Sequence, residues 1–467
     1  MSSPLQSSAT QYEEEEKIPQ DWKVGTIVPL PKKGDLSICS NWRGITLLSI
    51  PSKVLCIIML NRMKSAIDNI LRDEQSGFRN GRSCTDAIFA LRCIIEKCVE
   101  YNIPLYIHFV DFQKALDSVH RETMWAILAT YGIPDKVIRV IKAIYNETRC
   151  NVRVGKETTQ TFDIKTGVRQ GCILSPFLFT IVIDHVLSRQ ADKGFGVPIN
   201  DRNIFDLDFA DDIAMLATSN QQLQQSTEEL KQNAEKVGLR FNAKKCEVMS
   251  TQGNNLDIKL DNETVKNTNS FTYLGSKINN EGRSSEDIRV RIGKANAAFG
   301  QMSNFMRSKG VQNKTKLKIY NATIVPVLLY GSETWQMKAK DSQKLNAFHR
   351  KCIRKILGIS YLDKIRNVEV MKKSGMREMT DMIRERRLKW FGHVARMKTS
   401  RFPNRVMKWI PPGKRKRGRP RMSWKETISR DIREHGLTWK EAEETAQDRK
   451  TWRFISARCA PGTGRTK

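Results

Sequence analysis

The sequence predicts a mixed α/β domain that gives way to a helical one. Short apolar runs of strand length occur over 105–110 and 213–217, they alternate with helix-length stretches as far as about residue 278, and beyond residue 283 apolar residues fall at helical spacing. With 467 residues and 39% hydrophobic content, the chain is long enough for two to four domains with real cores.

Residues 1–17 read as a flexible leader. Its polar character, with Glu13 to Glu16 ahead of any apolar run, argues against a signal peptide. The most apolar early stretch, 45–60, is interrupted by Pro51 and Lys53 and falls short of the ~20 residues a spanning helix needs. No membrane partner is expected, and the nucleus and cytoplasm are the expected location. From 22 to 101, two short β-rich runs and two amphipathic helices are expected. The run 105–110 is mostly apolar and delivers Asp111 at its C-terminal end, where metals and substrates collect on a sheet.

Gly167-Val168-Arg169-Gln170-Gly171-Cys172-Ile173-Leu174-Ser175-Pro176 then leads into the apolar stretch 177–183, as a glycine-jointed loop entering a buried helix does. Gly171 and Ser175 keep side-chain bulk off the loop, while Arg169 and Gln170 supply donors beside it. A base pair and its sugar fit such a surface, and a helix entrance packed on a core fits it equally. Beyond residue 283, the stretches 287–306, 314–327 and 341–357 carry apolar residues at helical spacing.

Phe209-Ala210-Asp211-Asp212, between 204–205 and 213–217, reads as a β-hairpin whose turn presents two adjacent carboxylates. A solvated turn can look the same. Buried, however, two ionised aspartates side by side cost several kcal/mol unless a positive charge is close, which points to a divalent metal site with Asp111 as third ligand. Three carboxylates can hold two Mg²⁺ ions ~4 Å apart, activating an attacking hydroxyl and stabilising a departing pyrophosphate. Oxygen ligands favour Mg²⁺, with Mn²⁺ as a substitute, over zinc or copper.

Order and motifs together resemble the reverse transcriptases of non-long-terminal-repeat (LINE-like) retrotransposons. Asn41-Trp42-Arg43-Gly44-Ile45-Thr46-Leu47-Leu48 and Gln75-Ser76-Gly77-Phe78-Arg79-Asn80-Gly81-Arg82-Ser83 are similar to the family's two fingers motifs. Asp111-Phe112-Gln113-Lys114-Ala115-Leu116-Asp117-Ser118-Val119, the Gly167 loop and the Phe209 hairpin follow in the family's palm order. Gly238-Leu239-Arg240-Phe241-Asn242 with Lys245, and then Tyr273-Leu274-Gly275, resemble the fourth and fifth motifs, the latter gripping the primer in the family. The resemblance covers about residues 18–452.

It implies a right-hand polymerase: fingers at 18–104, an α/β (α+β) palm at 105–280, a helical thumb at 281–375 and a basic helical or extended region at 376–467. The implied reaction is RNA-directed DNA polymerisation, a two-metal transfer from a dNTP to a DNA 3′ hydroxyl on an RNA template, with RNA template, DNA primer or target and dNTPs as partners. Asp111, Asp211 and Asp212 are the implied catalytic metal ligands, and Lys245, or its neighbour Lys244, protonates the leaving pyrophosphate. Lys32, Lys33, Arg43, Leu116 and Gln170 are expected at the dNTP, where an arginine fork grips phosphate and lysine acts as a point charge. Leu116 stands five residues after Asp111, where relatives usually place an aromatic ring. Arg79, Arg82, Gly167, Arg169, Gly171, Tyr273 and Gly275 are expected along template and primer.

The formal charge of +30, from 80 Lys plus Arg against 50 Asp plus Glu, suits a protein that tracks a phosphate backbone, though a ribosomal or chromatin protein would share it. Between 377 and 425 there are 17 basic and three acidic residues. Within that stretch, Lys414, Arg415, Lys416, Arg417, Arg419 and Arg421 resemble both a nuclear localisation signal and an Arg-Gly-Arg-Pro minor-groove hook, and are expected to bind DNA. A disordered basic tail that binds any nucleic acid is the alternative. Trp390, Trp409, Trp424, Trp439 and Trp452 are either stacking faces for bases or buried residues of small helical units.

The ten cysteines show no Cys-x-x-Cys pair, which disfavours a zinc module and suits reduced thiols; Cys172 is expected to be a small buried residue. Only Cys352 and Cys459 lie beyond the start of the helical region. Tyr330-Gly331-Ser332-Glu333-Thr334-Trp335 has a superficial likeness to a ribonuclease H strand, without the spaced acidic residues that would support it. No endonuclease module is expected, which makes the chain a truncated element copy. A catalytically silent remnant that only binds nucleic acid is the competing reading, and an RNA-templated RNA polymerase is disfavoured by the form of the hairpin.

Overall fold

Strands Val24–Pro31 and Trp42–Leu47 pair antiparallel, with Thr26 opposite Leu47 and Pro31 opposite Trp42. On its other edge Val24–Pro31 takes up Arg149–Val154 in parallel, and Glu157–Thr158 and Phe162–Asp163 extend that sheet. The first sheet is therefore assembled from two stretches of chain more than a hundred residues apart, and the expected boundary at 104 would cut through it. Residues 149–163 belong with the N-terminal strands because an unpaired strand edge is costly to leave open. The computed structural model describes residues 16–458 except 33, 192, 254, 255, 361 and 419, so most of the expected leader, Lys33, Arg419 and Cys459 lie outside the described residues.

The second sheet runs in the order Lys266–Asn267, Glu247–Ser250, Tyr106–Val110, Asp212–Ala217, Asp206–Phe209, antiparallel but for its first pair. Side chains alternate across a strand, and here both faces are apolar. Val110, Ile213, Met215 and Val248 face a core shared with helices Arg121–Thr130, Asp135–Tyr145, Ser175–Ala191 and Asn220–Lys236. Ile107, Phe109, Ala214 and Leu216 face a second core. The sheet is a partition, and its end carries the site.

Helix Cys84–Tyr101, expected as an amphipathic element of the N-terminal unit, is instead buried on nearly every side from Asp86 to Ile95 and packs on the second face of the sheet. Its outer surface is covered by the C-terminal helices Met379–Ala395, Phe402–Lys408 and Trp424–Glu434. Trp424 and Trp390 stand edge-on to Phe89 with ring centroids 4.6 and 5.7 Å apart. Trp409, Trp424 and Trp452 are buried and Trp439 is packed against the same core, so the tryptophans are packing residues and offer no stacking faces. Gly392 lies where any Cβ would be 2.2 Å from the Trp452 ring.

Much of the positive charge of 377–425 also has internal partners. Arg387 and Asp431 form a buried pair at 2.6 Å, Arg384 reaches Glu434 at 2.9 Å, Arg401 pairs with Asp86, and Arg405 donates to the Ile199 carbonyl at 2.8 Å. A freely disordered tail is thereby replaced by a folded helical unit. Between the two, helices Ser285–Gln301, Asn313–Leu328 and Ala339–Leu357 build a third core close to the expected spans. Among the described residues no helix is long and apolar enough to cross a membrane.

Candidate active site

Phe209 lies opposite Asp212, leaving a two-residue turn in which Ala210 adopts a φ of 60°. On the neighbouring strand Val110 lies opposite Ile213, so Asp111 emerges beside Asp212 at the same end of the sheet. Segment 238–245 closes the other flank: Asn242 donates its backbone N–H to the Asp111 carbonyl at 2.7 Å, and Lys245 follows with Nζ 3.5 Å from Asp111 Oδ2. That oxygen is buried and accepts no hydrogen bond.

Burial, Asp211 and Asp111 push the Asp212 carboxyl up to about 6. Burial also raises Asp211, with Asp111 adding to the effect while its own backbone and Arg43 oppose it. Three carboxylates thus share one field, with Arg43 and Lys245 as nearby cations and with a buried Asp111 oxygen that accepts no hydrogen bond. Among the described residues no three His, Cys, Asp or Glu side chains already stand close enough together to hold one ion. The donor chemistry nevertheless fits a hard divalent cation, which would relieve the mutual repulsion and coordinate the Asp111 oxygen that accepts no hydrogen bond. A cavity of about 310 Å³ lined by Asp111, Asp212, Lys244, Lys245 and Tyr273 opens beside the carboxylates.

The hairpin is held from behind by residues to which sequence reasoning assigned no such role. Gln75 Oε1 accepts from the Ala210 N–H at 3.2 Å, Ser76 donates its N–H to the Asp208 carbonyl at 2.9 Å, and a Cβ on Gly77 would fall 2.3 Å from the Ala210 nitrogen. Arg72 reaches Asp206 at 2.7 Å, Asp208 at 3.1 Å and Asp184 at 3.2 Å, all buried. Burial and Asp206 hold the Asp208 carboxyl well above its ordinary range, against the pull of Arg72. The signal was present: Asp206 and Asp208 occupy alternate positions of a strand and therefore share one face, which when buried requires a cation.

Several expected contacts turn out to be internal. Arg79 is buried, with its nitrogens on Asp68 (2.6 Å) and on the Asp68, Arg72 and Gln75 carbonyls. Arg82 caps Asp73 in the same way. Both brace the chain around the hairpin. Arg169 is likewise buried and donates to the Lys23 carbonyl beneath the first sheet. Gly171 has a φ of 115° and passes so close to strand Trp42–Leu47 that a Cβ would lie 2.2 Å from the Thr46 carbonyl oxygen. Gly167 crosses the Asp117 backbone in the same manner. These glycines permit chain crossings, as a packed helix entrance requires. Ser175 bonds to the Tyr145 hydroxyl at 3.0 Å. Tyr273 is buried, its hydroxyl donating to the Leu207 carbonyl at 2.7 Å.

Other expected residues stand at the site or its rim. Arg43 is exposed opposite Leu30 on the first sheet and close enough to influence Asp211, and Lys32 is exposed just beyond the same strand pair. Leu116 is half-buried, and Gln170 Nε2 donates to Asp117 at 2.9 Å. Gly275 is exposed at the tip of the hairpin that follows the cavity. Lys414, Lys416, Arg417 and Arg421 are exposed on the loop between two core helices. Arg415 pairs with Glu100, and the Lys416 N–H meets the Glu100 carbonyl at 3.1 Å. Cys172 is buried as expected, 3.6 Å from Cys56.

Residues 30–278 match the family described as reverse transcriptase (RNA-dependent DNA polymerase). A putative transposon-derived protein of Caenorhabditis elegans is 28% identical over 276 residues, 56% of this chain and 98% of that protein. The Pol polyprotein of the type-1 retrotransposable element R2 of Popillia japonica is 25% identical, covering 73% of this chain and 48% of its own length. The RNA-directed DNA polymerase of the mobile element jockey of Drosophila melanogaster is 23% identical, covering 75% and 39%. The chain thus spans about half or less of the length of the last two. Apo telomerase of Candida tropicalis is similar with a TM-score of 0.45 at 13% identity, covering 97% of this chain and 73% of that one.

Proposed function

The chain belongs to the reverse transcriptase (RNA-dependent DNA polymerase) family, and on that premise we propose that it is the polymerase of a non-long-terminal-repeat retrotransposon, extending a DNA 3′ hydroxyl with dNTPs on an RNA template. One observation supports this above the rest: Asp111, Asp211 and Asp212 converge at one sheet end, Asp111 with a buried oxygen that accepts no hydrogen bond, Asp211 raised by burial and by Asp111, and Asp212 raised by burial, Asp211 and Asp111. Asp111, Asp211 and Asp212 would hold two Mg²⁺ ions, or Mn²⁺ in their place, which when bound activate the attacking hydroxyl and offset charge on the departing pyrophosphate. The primer's 3′ oxygen attacks the α-phosphorus and the bond to the β-phosphate's bridging oxygen breaks. Lys245, beside Asp111, would give its proton to the pyrophosphate. Arg43 would grip the triphosphate.

In this reading the fingers comprise 18–83 with 149–163, the palm 84–148 and 164–280, and the thumb the third core. The C-terminal helices complete the palm. Extension of oligo(dT) on poly(rA) with dTTP and Mg²⁺ tests the proposal, and RNA binding without any extension would favour the silent remnant.

Lys414, Lys416, Arg417 and Arg421 would contact a nucleic-acid backbone, and the same run suits nuclear import, placing the chain in nucleus and cytoplasm. Trp424 is a core residue, so the loop is better tested by changing these four residues to Ala than by deletion. Duplex DNA binding is expected to weaken, and its log–log salt slope to flatten by ~0.9 for each phosphate that the variant no longer neutralises. Extension of a pre-annealed primer is expected to persist. An unchanged slope would mean that the loop touches neither strand.

Leu116 would set sugar selection. Deoxyribonucleotides offer no extra group to bind, so a clash with the 2′ hydroxyl must do the rejecting, and leucine is shorter than an aromatic ring. Leu116→Phe is expected to improve discrimination of dATP over ATP by roughly ten-fold in single-turnover incorporation. Equal ratios in the two proteins would make Leu116 a neutral packing residue.

A further inference from the structure

Strands Ser270–Tyr273 and Ser276–Asn279 are joined by a two-residue turn whose central residues both have positive φ, 46° at Leu274 and 78° at Gly275. Glycine takes this geometry freely, whereas leucine does so only at a steric cost. Two donors from beyond the hairpin close on it. Tyr330 Oη donates to the Leu274 carbonyl at 2.8 Å, and Arg291 donates to the Gly275 carbonyl with its guanidinium 4.3 Å from the Tyr330 ring centroid. Behind them the buried Asp287 carboxylate accepts from the Ser276 hydroxyl (2.7 Å), the Lys277 N–H (2.8 Å), Arg92 (2.9 Å) and the Trp335 indole N–H (2.9 Å).

On its opposite flank the same hairpin is tied to both strands that end in the catalytic carboxylates. Tyr273 Oη donates to the Leu207 carbonyl at 2.7 Å, and Phe271 stacks on Phe109 at 4.1 Å.

We infer that Tyr330 and Arg291 are positioning residues for the polymerase reaction: by holding the Leu274 and Gly275 carbonyls they fix the turn, and through it the primer's 3′ end, against Asp111, Asp211 and Asp212. The inference rests on the polymerase reading and on the resemblance of Tyr273-Leu274-Gly275 to the family's primer-gripping motif. It gives a role to Tyr330-Gly331-Ser332-Glu333-Thr334-Trp335. Gly331, at φ 71°, turns the chain so that one short segment supplies both the hydroxyl on the turn and the indole on Asp287. Neither Tyr330 nor Arg291 is required to touch substrate. Their effect is geometric, since a small displacement of the attacking oxygen is costly in rate.

Tyr330→Phe, Arg291→Lys and the double variant test this in the full chain. The readouts are the single-turnover extension rate per active site, with active sites counted from burst amplitude, and the fluorescence of 2-aminopurine at the primer's 3′ terminus in the binary complex. Each single variant is expected to slow extension per active site by about five-fold, the factor associated with one net hydrogen bond. Terminal fluorescence should rise as the end is freed, and the double variant should lose less than the product of the two singles, because both act on one turn. A fall in burst amplitude with unchanged rate per site and unchanged fluorescence would show a merely structural role and overturn the inference. A wild-type chain that adds no nucleotide would instead overturn the polymerase reading, and this inference with it.

Discussion

Asp211→Ala is expected to cut nucleotide addition by roughly a thousand-fold or more while leaving RNA affinity within about two-fold. The asymmetry follows from where the charge acts. Asp211 sits in the turn of the hairpin, in the field of Asp111 and Arg43, and an acidic group there works against binding a polyanion unless a cation lies between. What it contributes must therefore appear as charge compensation at the reacting phosphate, which is absent from a binding measurement. Asp111→Ala should behave in the same way, since it removes the oxygen that lacks any hydrogen bond. Single-turnover extension with Mg²⁺, beside fluorescence anisotropy on labelled RNA, measures both quantities. Activity above a few per cent of wild type in either variant would place the metal ligands elsewhere.

The second large effect is on stability. Arg72→Met would leave Asp184, Asp206 and Asp208 buried without their shared cation, and breaking a buried network by removing one partner typically costs about 3–5 kcal/mol. The loss should depend on pH. Asp208 is already held well above its ordinary range by burial and by Asp206, and Arg72 is what pulls it back. Once that pull is gone, the fold favours the protonated Asp208 carboxyl more strongly. A carboxyl raised in the folded state favours folding fully below its unfolded pKa of about 4, and this advantage is lost as pH rises through the raised folded value. The deficit of the variant should thus be largest near pH 8 and narrow toward pH 5. Urea midpoints of both proteins at the two pH values check this, and a deficit of constant size would remove the carboxylates from the explanation.

The carboxylate geometry was legible because it is local. A two-residue turn between apolar runs fixes Asp211 and Asp212, and a strand of known length fixes Asp111 at its end. The supports were not legible, because they join distant stretches: Arg72 meets Asp206 across 134 residues, and Gln75 meets Ala210 across 135. Nothing in the neighbourhood of Arg79 distinguishes a template-binding guanidinium from one that ties its own loop to Asp68. Gly171 keeps side-chain bulk off the loop, but what approaches it is the Thr46 carbonyl of the first sheet, which no spacing rule reveals. Helix Cys84–Tyr101 failed for a related reason. Periodicity identifies an apolar face, yet it cannot show that residues more than 300 positions later will cover the other side.

That late cover bears on how the polypeptide acquires its shape during translation. The Glu96 carboxylate receives the Trp424 N–H from 328 residues downstream, and the Lys97 ammonium is capped by the Val406 carbonyl from 309 residues downstream. At roughly 5–20 residues per second, a ribosome takes tens of seconds to deliver those partners. For that interval a nascent chain carries an uncovered apolar helix against the back of its carboxylate-bearing sheet, the kind of surface that recruits chaperones or seeds aggregates. A frameshift in the 3′ part of the reading frame would accordingly do more than remove a basic handle, because the upstream polymerase core would emerge with one wall open.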